Sequence, residues 1–233
     1  MLRKIGQGIW VAEQPLKYFG LNVGTRMTAL RLANGELAII SPIQAIDGVL
    51  NQLSELGPVK HIIAPNLYHY LFAAEFKQRY PEAVFWAASG LESKKPELPI
   101  DRVIEYNTKV LLDGLECLLF SGFRTLGVTG FDALNEYVFL HGASRTLILT
   151  DAAFHFDESF PIATRLVTRV IGGYQRLSPS ILEKIATTDK AKVRASVEQV
   201  LAWDFERVVM AHGSIVEQNG KEKLKQGYEW FLG

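Results

Sequence analysis

The sequence predicts an α/β protein with two strand-rich halves. Three observations predict it. Alternating apolar residues flank Asn34-Gly35, a hairpin signal. A strand, break, helix and strand follow one another between residues 61 and 89. The stretch from about 102 to 150 holds four short apolar runs divided by turn signals.

"GIWVAEQPLKY" and "TRMTALRLANGELAIISP" read as strands, the second folding back at Asn34-Gly35. "IDGVLNQLSELG" reads as an amphipathic helix with Val49, Leu50, Leu53 and Leu56 on one face and Gly57-Pro58 as its stop. His61, Ile62 and Ile63 close a buried strand, and Pro65 and Asn66 break it. Leu71, Phe72, Phe76 and Tyr80 then recur at roughly helical spacing up to Pro81. "AVFWAAS", "DRVIEY", "LECLLFSGF", "NEYVFLH" and "RTLILTD" read as strands. "PIATRLVTRVIGGYQRL" is mixed and is broken at Gly172-Gly173. Ser178-Pro179 reads as a helix cap and first turn. Asp189 reads as the N-cap of "DKAKVRASVEQVLAW". "ERVVMAHG" is a short buried strand ending in His-Gly, and "GKEKLKQGYEWFL" is a closing helix. There is no internal repeat or linker, so residues 1–233 are expected to form one domain.

Composition narrows the function classes. Of 233 residues, 48% are hydrophobic, which fits a globular chain rather than a disordered one. Lys plus Arg equals Asp plus Glu at 25 each, so no global field draws nucleic acid or an anionic membrane. The single cysteine, Cys117, excludes an intrachain disulfide and reads as a small core residue. No apolar h-region follows the N-terminal basic pair, and no apolar run approaches about 18 residues. The expectation is a soluble, cytoplasmic protein.

Three strand ends carry ligand-type side chains: Asn66, Tyr68 and His69; Asp151 after "TLILT"; and His212 after "RVVMA". Strands of one sheet stop in register, so these tips can converge. A carboxylate and two imidazoles that meet make a site for zinc, iron or manganese. His61 and His141 read as structural or exposed, and His155 as a loop surface residue.

This order of strand ends resembles the metallo-β-lactamase fold superfamily. The resemblance implies a four-layer αββα sandwich of two mixed β-sheets with helices outside. "RTLILTDAAF" resembles the family's strand that ends in Gly-Asp, which puts Asp151 at the metal-bridging aspartate. "ERVVMAHGSIV" resembles its late strand and Gly-His-Gly turn, which puts His212 at the last histidine. The family signature His-x-His-x-Asp-His is degenerate here: counted back from "EFKQRYP" it falls on Ala64, Asn66, Tyr68 and His69. The family's loop histidine falls on Asp132, a further candidate ligand.

The resemblance implies at most one ion. The set Ala64, Asn66, Asp132 and Asp151 has no imidazole, whereas Tyr68, His69, Asp151 and His212 keep two imidazoles and a carboxylate. The implied activity is a metal-dependent hydrolase using one divalent ion (zinc, manganese or iron). Asp151 would orient a water, and Tyr68 and Asn66 would hydrogen-bond the developing oxyanion. The rival expectation is a non-catalytic protein, with no metal, that binds a small molecule or a protein partner in the old cleft. The expected partner is a small-molecule substrate or ligand, with no nucleic acid and no membrane; a homo-oligomer is left open.

Overall fold

Period-2 alternation sorts each strand's side chains onto two faces, and both faces are covered. The computed structural model describes residues 1–126 and 130–233. The chain opens with β1 (Arg3–Gly6), β2 (Ile9–Gln14), β3 (Lys17–Tyr18), β4 (Leu21–Asn22), β5 (Thr25–Arg31) and β6 (Leu37–Ile40). Then come α1 (Asp47–Leu56), β7 (Val59–Ala64), α2 (Ala73–Arg79), β8 (Val84–Ala87), α3 (Leu91–Lys94) and β9 (Arg102–Val103). The strand-rich middle holds β10 (Val110–Leu112), β11 (Leu115–Phe120), β12 (Arg124–Leu126), β13 (Phe131–Ala133), β14 (Glu136–His141) and β15 (Thr146–Ile148). The chain closes with α4 (Ile162–Ile171), α5 (Ile181–Ala186), α6 (Lys190–Ala202), β16 (Arg207–Val209) and α7 (Gly220–Leu232).

One sheet has the order β1-β2-β5-β6-β7-β8-β9 and the other β10-β11-β14-β15-β16. The first is antiparallel up to β6 and parallel beyond it. In the second, only β15 and β16 run parallel. Between the sheets, Leu30, Ala38, Ile40 and Ile63 meet Cys117, Tyr137, Phe139 and Ile148. Their neighbours in sequence point outward. Ala29, Leu37, Ile39 and Ile62 pack on Val49, Leu53 and Phe76. Val138, Leu140 and Leu147 pack with Val193, Val197, Tyr228 and Phe231. The layers are helix, sheet, sheet, helix, which is the predicted sandwich.

Several local expectations change. Pro15 lies between β2 and β3, so "GIWVAEQPLKY" is two strands. The Asn34-Gly35 hairpin is present, but its turn runs from Leu32 to Gly35, with a Gly35 N–H to Leu32 carbonyl bond of 3.0 Å and only Gly35 left-handed. Leu71 precedes α2 and is exposed. The mixed stretch is helix α4, ended by Gly172 at φ 104°. The α5 cap is Ser180, not Ser178: its hydroxyl accepts from Leu182 N–H, and Glu183 returns a bond to the Ser180 N–H. Ser178 instead pairs its backbone with Phe154. Asp189 caps α6 as expected. No helix among the described residues is long and apolar enough to cross a membrane.

Candidate metal centre

Parallel pairing aligns the C-terminal ends of β6 with β7 and of β15 with β16, and the site forms just beyond them. After β7, the Asn66 carboxamide oxygen accepts from the backbone N–H groups of Tyr68 and His69, both at 2.8 Å. This side-chain turn carries His69 back over the strand end. After β15, buried Glu136 accepts from the N–H groups of Thr150 and Asp151, both at 2.7 Å, and fixes Asp151. After β16, the turn bearing His212 is tied to the other sheet by buried Arg26. Its guanidinium donates to the Met210 carbonyl and, at 2.7 Å, to the Gly213 carbonyl, while pairing with Glu13 at 2.9 Å. Gly213 is required there. It has φ 92°, and a Cβ would collide with the His155 carbonyl.

His69, Asp151 and His212 offer ligand atoms that all lie within 4.8 Å of one another. His69 Nε2 is 3.2 Å from Asp151 Oδ2, and His212 Nε2 is 3.5 Å from Asp151 Oδ1. Both outer nitrogens are engaged. His69 Nδ1 is 2.7 Å from Ser41 Oγ, and His212 Nδ1 is 2.5 Å from the Gly24 carbonyl. A carbonyl only accepts, so Nδ1 of His212 carries the proton and Nε2 of the neutral ring carries a lone pair.

Electrostatics agree that this ring is uncharged. Burial lowers the His212 pKa, with Asp151 opposing it only in part, so the ring is neutral at pH 7. For His69 burial acts the same way, but the Asp151 charge outweighs it and the pKa rises. Burial alone would raise Asp151; the His69 and His212 rings and the Asn66 donor overcome it and hold the carboxyl at about 2. Complete burial and the Asp151 charge raise Glu136. The neutral His212 Nε2 therefore faces a carboxylate oxygen, acceptor against acceptor, and a cation between them relieves the opposition. Two imidazoles oriented through Nδ1 and one carboxylate fit a divalent ion with an open position.

The other candidates divide. Asn66 is fully buried, and its amide nitrogen donates to Asp151 at 2.9 Å, Thr150 at 3.0 Å and Glu136 at 3.3 Å. Both ends of the carboxamide are thus engaged within the protein. Asp132 lies outside the ligand group, where it accepts from the Tyr68 hydroxyl at 3.2 Å. Burial, then Asp132, raises the Tyr68 phenol to about 12, so it stays a neutral donor. His155 bonds the Ser214 carbonyl at 3.3 Å. Ser41, Glu136 and Arg26 escaped the sequence reading, because each acts on a partner remote in the chain.

The family model "Domain of unknown function (DUF4336)" matches residues 6–172. The chain belongs to the DUF4336 family. No curated protein matches this DUF4336 chain. Among solved structures it is similar to a metallo-beta-lactamase from Pontibacter korlensis, at 14% identity and TM-score 0.67, over 100% of this chain and 98% of that one. It is also similar to the metallo-beta-lactamase FIM-1 from Pseudomonas aeruginosa in its mono-zinc form, at 12% identity and TM-score 0.65, over 100% and 96%. A metal-soaked Flv1 flavodiiron core from Synechocystis sp. PCC6803 matches at 14% identity and TM-score 0.65, over 100% of this chain and 60% of that one. The fold is that of the metallo-β-lactamases.

In this DUF4336 member a cavity of about 590 Å³ opens onto the trio, with His69, Asp151, His212 and Tyr68 in its wall. The β3–β4 ribbon, the residues just before α2, the loop bearing Phe154 and Phe156, and helices α4 and α5 form most of the rest. It is within the size range of small-molecule sites.

Proposed function

We propose that the chain is a metal-dependent hydrolase holding one divalent ion on His69, Asp151 and His212. The observation that supports this reading is the trio itself: two oriented imidazoles and a carboxylate within 4.8 Å, at the wall of a cavity. An ion held there supplies a Lewis acid and a water of lowered pKa. The chain's own residues do the remaining work. Ser41 and Gly24 fix the two rings through Nδ1. Asn66 and Glu136 hold Asp151 at the end of its strand. Tyr68 presents a neutral hydroxyl whose 3.2 Å bond to Asp132 is long enough for a substrate oxygen to compete for its proton.

The test is metal content after growth with zinc, manganese or iron, for the parent and for Asp151→Ala and His212→Ala. One ion per chain, lost in both variants, together with turnover of simple esters, is expected. A parent that takes up no metal under supplementation, while both variants fold normally, contradicts the reading and leaves the cavity as a binding site without catalysis.

A further inference from the structure

The wall of the cavity beside the trio is mostly hydrocarbon. Leu16, Leu21, Val23, Phe154, Val167 and Ile171 all line it. Phe19 and Leu71 also line it, yet are 72% and 65% exposed, so the mouth is apolar as well. An incoming chain meets no polar collar there.

The charges in the wall are few and of one dominant sign. Asp151 and Glu183 are carboxylates, and Lys17 on β3 is exposed. Among the described residues no arginine lines the cavity. A phosphate or sulfate would lack the bidentate partners that recognise it and would face two carboxyl groups, Glu183 buried and Asp151 half-buried. Tyr68, His69, Asp151 and His212 form a polar cluster in the wall, with Thr25, Thr125, Thr168 and Ser180 as further polar groups in a lining otherwise largely apolar. At about 30 Å³ per non-hydrogen atom, the space a water takes in its liquid, 590 Å³ holds roughly twenty such atoms.

We propose that this cavity binds a neutral ester of a long acyl chain, with the hydrocarbon against the apolar lining that the β3–β4 ribbon and α4 contribute and the ester at His69, Asp151 and His212. It rests on the hydrolase reading only for the position of the ester; binding of the chain needs no metal.

The experiment is calorimetric titration of the full chain, dialysed against a chelator, with monobutyrin, monocaprylin and monolaurin below their micellar concentrations. Dodecyl phosphate is the anionic control. Affinity should tighten by about twofold to fourfold per methylene, the upper value being complete transfer from water. Dodecyl phosphate should bind at least tenfold more weakly than monolaurin. Val167→Trp fills the wall, and Val23→Gln makes part of the lining polar. Each should weaken monolaurin at least tenfold and leave monobutyrin within twofold; two variants on different elements guard against one that fails to fold. Equal affinity across the series, tighter binding of the phosphate, or full monolaurin affinity in both folded variants overturns the proposal. Monolaurin bound in the expected manner but not cleaved by the metal-loaded protein would defeat the hydrolase reading alone. Monobutyrin cleaved without any chain-length dependence would defeat this proposal alone.

Discussion

At Asn66 one carboxamide serves five partners: two backbone N–H groups and three oxygen acceptors. Truncation strands several buried polar groups, each worth about 1–3 kcal/mol. Asn66→Ala should therefore cost about 3 kcal/mol in urea denaturation; a loss below about 1 kcal/mol would contradict the network. Glu183 gives a pH test. Its carboxyl is buried, and burial raises its pKa despite bonds from Ser180, with the Asp151 charge adding to the rise. A carboxyl whose folded pKa is raised contributes stability that is present below the unfolded pKa. That contribution is lost as pH rises through the folded value. Glu183→Gln keeps a capping side chain and removes the ionisation. Relative to the parent, its melting temperature should become more favourable between pH 4 and pH 7, and an unchanged difference would contradict the assignment. Asp151 and His212 stood out in the sequence because each closely follows an apolar run, and His69 because it is the one histidine left in the family-like motif of its loop. Glu136 was not, because a carboxylate at the start of a strand looks like any exposed turn acid until its partners, Thr150 and Asp151, are known.

Between elements, the most consequential tie is Arg26 on β5 to the turn after β16. It satisfies two carbonyls across the two sheets and sets where His212 stands. Arg26→Met leaves those carbonyls unpaired, so stability should fall by about 2–4 kcal/mol. Zinc affinity should fall at least tenfold, because His212 loses its fixed turn. Normal zinc binding in a destabilised but folded Arg26→Met would separate the two effects and contradict the positioning role. Strands such as β5, β7 and β14 were readable as apolar runs because one face meets helices and the other meets the second sheet, so both are buried. The two-residue strands β3, β4 and β9 owe their ladders to neighbours and leave little periodic trace. Helix α4 looked mixed for a related reason: Ile162, Leu166 and Val170, at helical spacing, stay exposed, while Thr164 and Thr168 are buried.

For the molecule as a whole, the layer between the sheets is shared. Leu30, Ile40 and Ile63 from one sheet pack with Tyr137, Phe139 and Ile148 from the other. Neither sheet can lose this layer without exposing the other. Thermal unfolding should be one transition by both far-UV and aromatic signals. Phe139→Ala, at a fully buried position, should cost about 3–5 kcal/mol and move both signals together. Two separated transitions would contradict a shared core. The family-like order of strand ends made the sandwich legible over nearly the whole chain. The cavity was not, since its walls come from ribbon, loop and helix segments far apart in sequence. The most direct test is anomalous diffraction at the zinc edge from crystals grown with zinc. One peak about 2.0–2.2 Å from His69 Nε2, His212 Nε2 and an Asp151 oxygen is expected; no peak at these three groups, or a peak bound instead by Asp132, would contradict the metal centre.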